Sequence, residues 1–236
     1  MKLPVKLLLF CALPLLLFTA CEGDVRFTTD QPVAVPALKE VPASLRGKYV
    51  NEGDSLYVDL NSMTLVRPSR QSIALSDSAK VGLVRSKDGQ FSFRAGSDRY
   101  VEKITADSVT IVNRNAQTYR LGKDTLLKAF NNSWWLSMRD LSSAKKDEWK
   151  VMQITLHKNK LSIAVPALPK DEKKRMQQRM DASKSSTDST GVFSVVTPFH
   201  RSNDHAYYIV SASADQLKNL DRRGLFRPVA TFEKVK

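Results

Sequence analysis

Three histidines, two cysteines and an adjacent pair of tryptophans are the residues of this chain with most chemistry to offer. His200 and His205 flank Arg201-Ser202-Asn203-Asp204, and two imidazoles with a carboxylate are metal-ligand types. Their spacing is not that of a helix-borne ligand set, and Arg201 brings a like charge to the ion. A polar loop between Pro198 and Tyr207 accounts for them better, so no metal and no other cofactor is expected. His157 stands alone. No Gly-x-Ser-x-Gly elbow, phosphate-binding loop, Gly-x-Gly-x-x-Gly or His-Glu-x-x-His is present. Seven glutamates, none in a distinctive apolar setting, single out no acid–base pair. The sequence therefore reads as non-enzymatic, with no catalytic residue. Trp134 and Trp135 remain. Strand alternation puts adjacent residues on opposite faces, so one belongs to a core and the other to solvent, a second layer or a ligand. Leu136 and Met138 share the face of Trp134. That assigns Trp134 inward and leaves Trp135 as the candidate binding residue, for a glycan or a partner protein.

Both cysteines, Cys11 and Cys21, lie at the start of the chain, so no disulfide or zinc site serves the rest. Lys2 and Lys6 precede an apolar run from Leu7 to Ala20, which is too short to span a bilayer and suits a signal-peptide core. The run ends Leu17-Phe18-Thr19-Ala20-Cys21, which resembles the lipobox of bacterial lipoproteins. The resemblance implies cleavage of residues 1–20, lipidation of Cys21 and attachment to a membrane through the acyl chains. Glu22, where aspartate would signal inner-membrane retention, points to the outer membrane, in either leaflet.

The 236-residue chain carries 37 basic and 24 acidic residues, a net charge of +13, and loses two positive charges with the leader. Behind such an address the polyanions within reach are lipid phosphates, lipopolysaccharide, acidic glycans and acidic proteins, rather than nucleic acid. Charge is locally dense only at Lys170–Arg179 and Lys218–Arg227. A composition of 42% hydrophobic and 8% aromatic residues excludes a disordered chain.

These residues need positioning elements. Residues 21–42, with Pro32, Pro36 and Pro42, read as a lipidated, extended tether. Residues 43–168 carry short runs of strand length, among them Lys48–Asn51, Leu56–Leu60, Thr64–Val66, Ser72–Leu75, Trp134–Arg139, Trp149–His157 and Lys160–Val165. Glu52-Gly53-Asp54, Lys87-Asp88-Gly89-Gln90 and Lys158-Asn159-Lys160 supply hairpin turns, and short connections make the neighbours antiparallel. Residues 169–190 read as an exposed helix, Lys170–Lys184, followed by a Ser/Thr linker. Residues 191–236 read as an α/β tail with a helix at Ala214–Arg223 and a last strand at Val229–Val235. The expected fold is mainly β, an antiparallel meander closing as a barrel or a sandwich, with two short helices in the C-terminal third.

Asp54-Ser55, Asp77-Ser78, Asp107-Ser108 and Asp124-Thr125 each precede an apolar residue at a strand entry, as turn chemistry requires. With Asp188-Ser189 they also resemble the O-glycosylation acceptors of Bacteroidetes envelope proteins, which makes Ser55, Ser78, Ser108, Thr125 and Ser189 candidate sites. Leu45-Arg46-Gly47-Lys48-Tyr49 followed by Gly53–Leu56 resembles the opening strand pair of lipocalin-like bacterial domains. Trp134-Trp135-Leu136, Trp149-Lys150-Val151 and the stretch from Asp215-Gln216-Leu217 to Gly224-Leu225-Phe226 resemble Bacteroidetes envelope lipoproteins. These resemblances imply an interaction or assembly subunit of an envelope complex, with a protein partner. The alternative they leave open is a lipocalin-like carrier of a lipid or glycan.

Overall fold

The computed structural model describes residues 25–85, 90–93, 98–141, 148–168, 197–200 and 206–235. The strands are β1 (Val25–Phe27), β2 (Gly47–Asn51), β3 (Asp54–Val58), β4 (Ser62–Ala74), β5 (Leu83–Arg85), β6 (Phe91–Phe93), β7 (Arg99–Ile104) and β8 (Ser108–Arg120). They continue with β9 (Thr125–Phe130), β10 (Ser133–Arg139), β11 (Trp149–His157), β12 (Lys160–Pro166), β13 (Thr197–His200), β14 (Ala206–Val210) and β15 (Phe226–Lys234). A 3₁₀ segment spans Leu75–Val81, and the α-helix of the described residues, α1, spans Ala214–Arg222. The second helix expected, at Lys170–Lys184, lies outside the described residues.

Mainly antiparallel β structure is what forms, but among the described residues no barrel closes. The chain divides into two compact units, Met1–Val41 with Leu121–Thr231, and Pro42–Arg120 with Phe232–Lys236. The single β body expected over 43–168 is therefore split after Arg120.

In the first unit the order is β13-β14-β1-β11-β12-β15, with β10 pairing β11 and β9. The β1–β11, β9–β10, β10–β11, β11–β12 and β13–β14 pairings are antiparallel, and that of β1 with β14 is parallel. Val25 and Phe27 are fully buried with Trp135, Trp149 and Val151, beneath Leu217 and Leu220 of α1. Helix α1 begins with a capping box: Ser213 Oγ accepts from the Gln216 amide, and Gln216 Oε1 accepts from the Ser213 amide. Gly224 (φ +77°) follows it, and the Leu225 amide donates to the Leu220 carbonyl, so the helix ends in a left-handed turn.

The expected tether is corrected by this packing. Beyond β1, the Gln31 amide donates to Ser137 Oγ at 2.9 Å and Ser137 Oγ donates to the Gln31 carbonyl at 3.1 Å. Lys128, buried on β9, forms an ion pair with Asp30 and donates to the Pro32 carbonyl at 2.8 Å. The prolines do not keep the segment extended and solvated, because its apolar and carbonyl groups find partners on β9, β10 and β11. Three residues, Glu22, Gly23 and Asp24, separate Cys21 from β1 in the sequence.

In the second unit the order is β15-β2-β3-β4-β8-β7, with β5 and β6 a separate hairpin. Strands β4 and β8 pair over their whole lengths, from Ser62↔Arg120 to Ala74↔Ser108. A small core of Leu83, Val109 and Ile111 caps the far end of this ribbon, with Ile73, Leu75, Val81, Phe91, Phe93 and Val101 against it.

Candidate functional site

The concave site of the second unit lies on that cap. At Ala74 the chain leaves the ribbon, makes the 3₁₀ segment, and turns through Gly82 (φ +79°) into β5. The left-handed backbone there favours glycine. Strand β7 returns along β8 with a bulge between Val101 and Lys103. Between these pieces opens a half-enclosed cleft of about 620 Å³, lined by Leu75, Ser78, Leu83, Arg85, Phe91, Ile104, Thr105 and Ala106.

Its floor is apolar and its rim is cationic. The Arg85 guanidinium lies over the Phe91 ring, 5.6 Å from the centroid, and no carboxylate pairs with it among the described residues. Arg70, by contrast, is neutralised: it makes two bonds of 3.0 Å to the Glu102 carboxylate, which holds its pKa above the ordinary guanidinium value. Ile104 is 46% exposed at the cleft, and Val84, beside Arg85, is 49% exposed. Ser78 adds a hydroxyl. Thr105 Oγ1 lies 2.7 Å from Ser108 Oγ and accepts from the Ser108 amide, so the β7–β8 turn holds it in place. An apolar floor with one cation that no carboxylate of the described residues pairs suits a group that is apolar in body and anionic at one end. The lining contains no nucleophile–base pair and no histidine.

The residues singled out in the sequence do not gather here, Ser78 excepted. Trp135 is the main correction. It is 1% exposed, in the core under α1, with its indole N–H donating to the Phe130 carbonyl at 3.2 Å. Trp134 is the half-buried member. The face argument failed because both faces of β10 are covered: Leu136 and Ser137 are adjacent and both buried. Trp135 therefore presents no binding surface.

Ser55 sits mid-ladder, with β3 between β2 and β4. Thr125 closes a turn with Gly122. Ser55, Ser78, Ser108 and Thr125 are all half-buried. Asp54 and Asp124 pair with Arg67 (3.2 Å) and Arg139 (3.7 Å), so these acids tie strands as well as turns. Cys21, Ser189 and His205 lie outside the described residues. His157 is exposed at the end of β11, and His200 belongs to β13. Among the described residues no three histidine, cysteine or acidic side chains cluster as a metal site.

Sequence reasoning missed the cleft. Its signal was the pair of short apolar stretches, Leu83-Val84 and Phe91–Phe93, on either side of Asp88-Gly89 in the sequence. No protein-family model, curated protein or solved structure matches the chain.

Proposed function

We propose that this chain is a lipid-anchored, non-enzymatic protein of the bacterial outer membrane that serves as an interaction or assembly subunit, with the cleft on its second unit as the contact for a partner. The observation that carries this reading is Arg85, which pairs with no carboxylate among the described residues, at the rim of an apolar cleft where Ile104 is left exposed. Apolar side chains grouped around an exposed arginine are a composition that partner proteins engage, and a partner with an acidic group beside an apolar one fits it. The anchor rests on the lipobox-like Leu17–Cys21.

A second reading has the same cleft hold a small amphiphile or glycan, for which its volume is sufficient. Native mass spectrometry of the gently solubilised, acylated protein separates the two. Stoichiometric protein, lost in an Arg85→Glu variant, supports the assembly subunit. A bound small molecule of defined mass makes the chain a carrier. The anchor is tested separately: Cys21→Ser abolishes acyl labelling and releases the protein from membranes, and retained label in that variant removes the lipoprotein assignment.

A further inference from the structure

The exposed cations of the first unit are not evenly spread. Lys218 and Arg222 stand one turn apart on α1, Arg223 follows, and Arg227 begins the exit into β15. The three arginines are exposed, and none forms an ion pair among the described residues. The acid in their midst, Asp221, accepts from Gln153 Nε2 at 3.0 Å and so is directed inward to the sheet. Leu217 and Leu220 hold the opposite side of the helix in the core. The solvent side of the helix thus carries Lys218, Arg222 and Arg223 against one exposed acid, Asp215 of its first turn.

The anchor's position gives that face its occupant. Val25 shares the core cluster with Leu217 and Leu220, and the four residue steps back to Cys21 span at most about 14 Å when fully extended. A cysteine acylated in a bilayer therefore keeps the first unit against the headgroups, with α1 packed on the same core as the strand that leads to the anchor. We infer that Arg222, Arg223 and Arg227, with Lys218, form a docking surface for the phosphates of anionic lipid headgroups. They would fix how the first unit lies on the membrane once the acyl chains have brought it there. This rests on the lipoprotein reading, and its test is made without acyl chains so that the two can fail separately.

The chain from Glu22 onward, which keeps every described residue of both units, is mixed with vesicles of phosphatidylcholine alone or with phosphatidylglycerol added. Binding is followed by co-sedimentation at low and at physiological salt. The expected result is binding to the anionic vesicles only, weakening with salt as screening shortens to about 8 Å. At roughly fivefold per arginine, Arg222→Gln with Arg223→Gln and Arg227→Gln should weaken binding about a hundredfold. A control with Lys39→Gln, Lys123→Gln and Lys158→Gln removes the same charge elsewhere in the first unit and should stay within about threefold of the parent. Melting curves establish that both variants fold. Equal losses in both variants would make the attraction a property of net charge, and equal binding to neutral vesicles would remove the anionic headgroup charge from the interaction. Either overturns the assignment. Loss of acyl labelling at Cys21 bears on the anchor and leaves this result unchanged.

Discussion

Trp135 and Phe226 meet edge to face, with ring centroids 4.8 Å apart and planes at 90°. The contact joins β10 to the start of β15, just past α1, at sequence positions 91 apart. Edge-to-face pairs add to the area they bury, because the positive ring edge meets the negative ring face. The contact seals the core that Val25, Leu217 and Leu220 also enter.

Truncation of Trp135 should therefore be the costly change in this pair of tryptophans. Trp135→Ala loses the indole, its bond to the Phe130 carbonyl and the Phe226 contact, and should cost about 3–5 kcal/mol. Trp134→Ala, at a half-buried position, should cost clearly less. Urea midpoints of the two variants check the order, and equal losses would contradict the assignment of Trp135 alone to the core under α1.

What the sequence discloses follows from how local each feature is. The β2–β3 and β11–β12 hairpins were legible because Gly53 (φ +108°) and Lys158 (φ +55°) sit in two-residue turns between alternating strands. Strand β4 was read as two pieces, since Arg67-Pro68-Ser69-Arg70 interrupts its apolar pattern. It continues because β3 stops pairing at Val66, which leaves Pro68 on an open edge where a missing N–H breaks no ladder bond. Strand β1 was invisible for the opposite reason. Its three residues are held by β14, whose sequence lies far downstream, and no local pattern reports such a pairing. The cleft depends on which residues of the cap stay uncovered, and alternation is silent on that.

The Asp30–Lys128 pair offers an asymmetric test of the segment mistaken for a tether. Lys128 has a side chain only 5% exposed, while Asp30 is 30% exposed. Asp30→Asn strands an ammonium in the interior with the Pro32 carbonyl as its remaining partner, and should cost about 3–5 kcal/mol. Lys128→Met removes the buried charge instead and should cost under about 1.5 kcal/mol. Denaturant titration of both compares them. A larger loss in Lys128→Met would mean that the pair itself, rather than the avoidance of an unpaired charge, stabilises the fold.

Tyr49 sets an alkaline limit on stability. Its ring is fully buried, and its hydroxyl donates to the Leu45 carbonyl at 2.8 Å. Burial raises its pKa above the ordinary phenol value of about 10, because the phenolate is costly to keep from water. A folded pKa above the unfolded one means that the unfolded state releases its proton first. The contribution of Tyr49 is therefore complete below pH of about 10 and is lost as pH rises through the folded value. Tyr49→Phe should cost about 1 kcal/mol at neutral pH and fall less steeply than the parent above pH of about 10. Melting temperatures across pH 7 to 11 check this, and parallel slopes would assign the alkaline limit to another group.

The last prediction concerns Arg85. It is exposed, touches Phe91 and has no carboxylate partner among the described residues, so Arg85→Ala should change stability by less than about 0.5 kcal/mol. Leu83, 5% exposed in the small core beneath, is different: Leu83→Ala should cost about 2–4 kcal/mol and loosen the cleft itself. The two variants thus separate loss of a binding group from loss of the site. Dodecanoate and dodecyltrimethylammonium, below their micelle concentrations, share an apolar chain and differ in the sign of the head. The parent protein should prefer the carboxylate, since a bond from a guanidinium to a carboxylate contributes about 1.5–3 kcal/mol. Arg85→Ala should weaken dodecanoate binding about tenfold and leave the cationic probe unchanged, and Arg85→Glu should reverse the preference. Titration calorimetry reads all three proteins. If the parent fails to discriminate between the probes, the cleft does not read charge, and Arg85 serves the Phe91 stack rather than recognition.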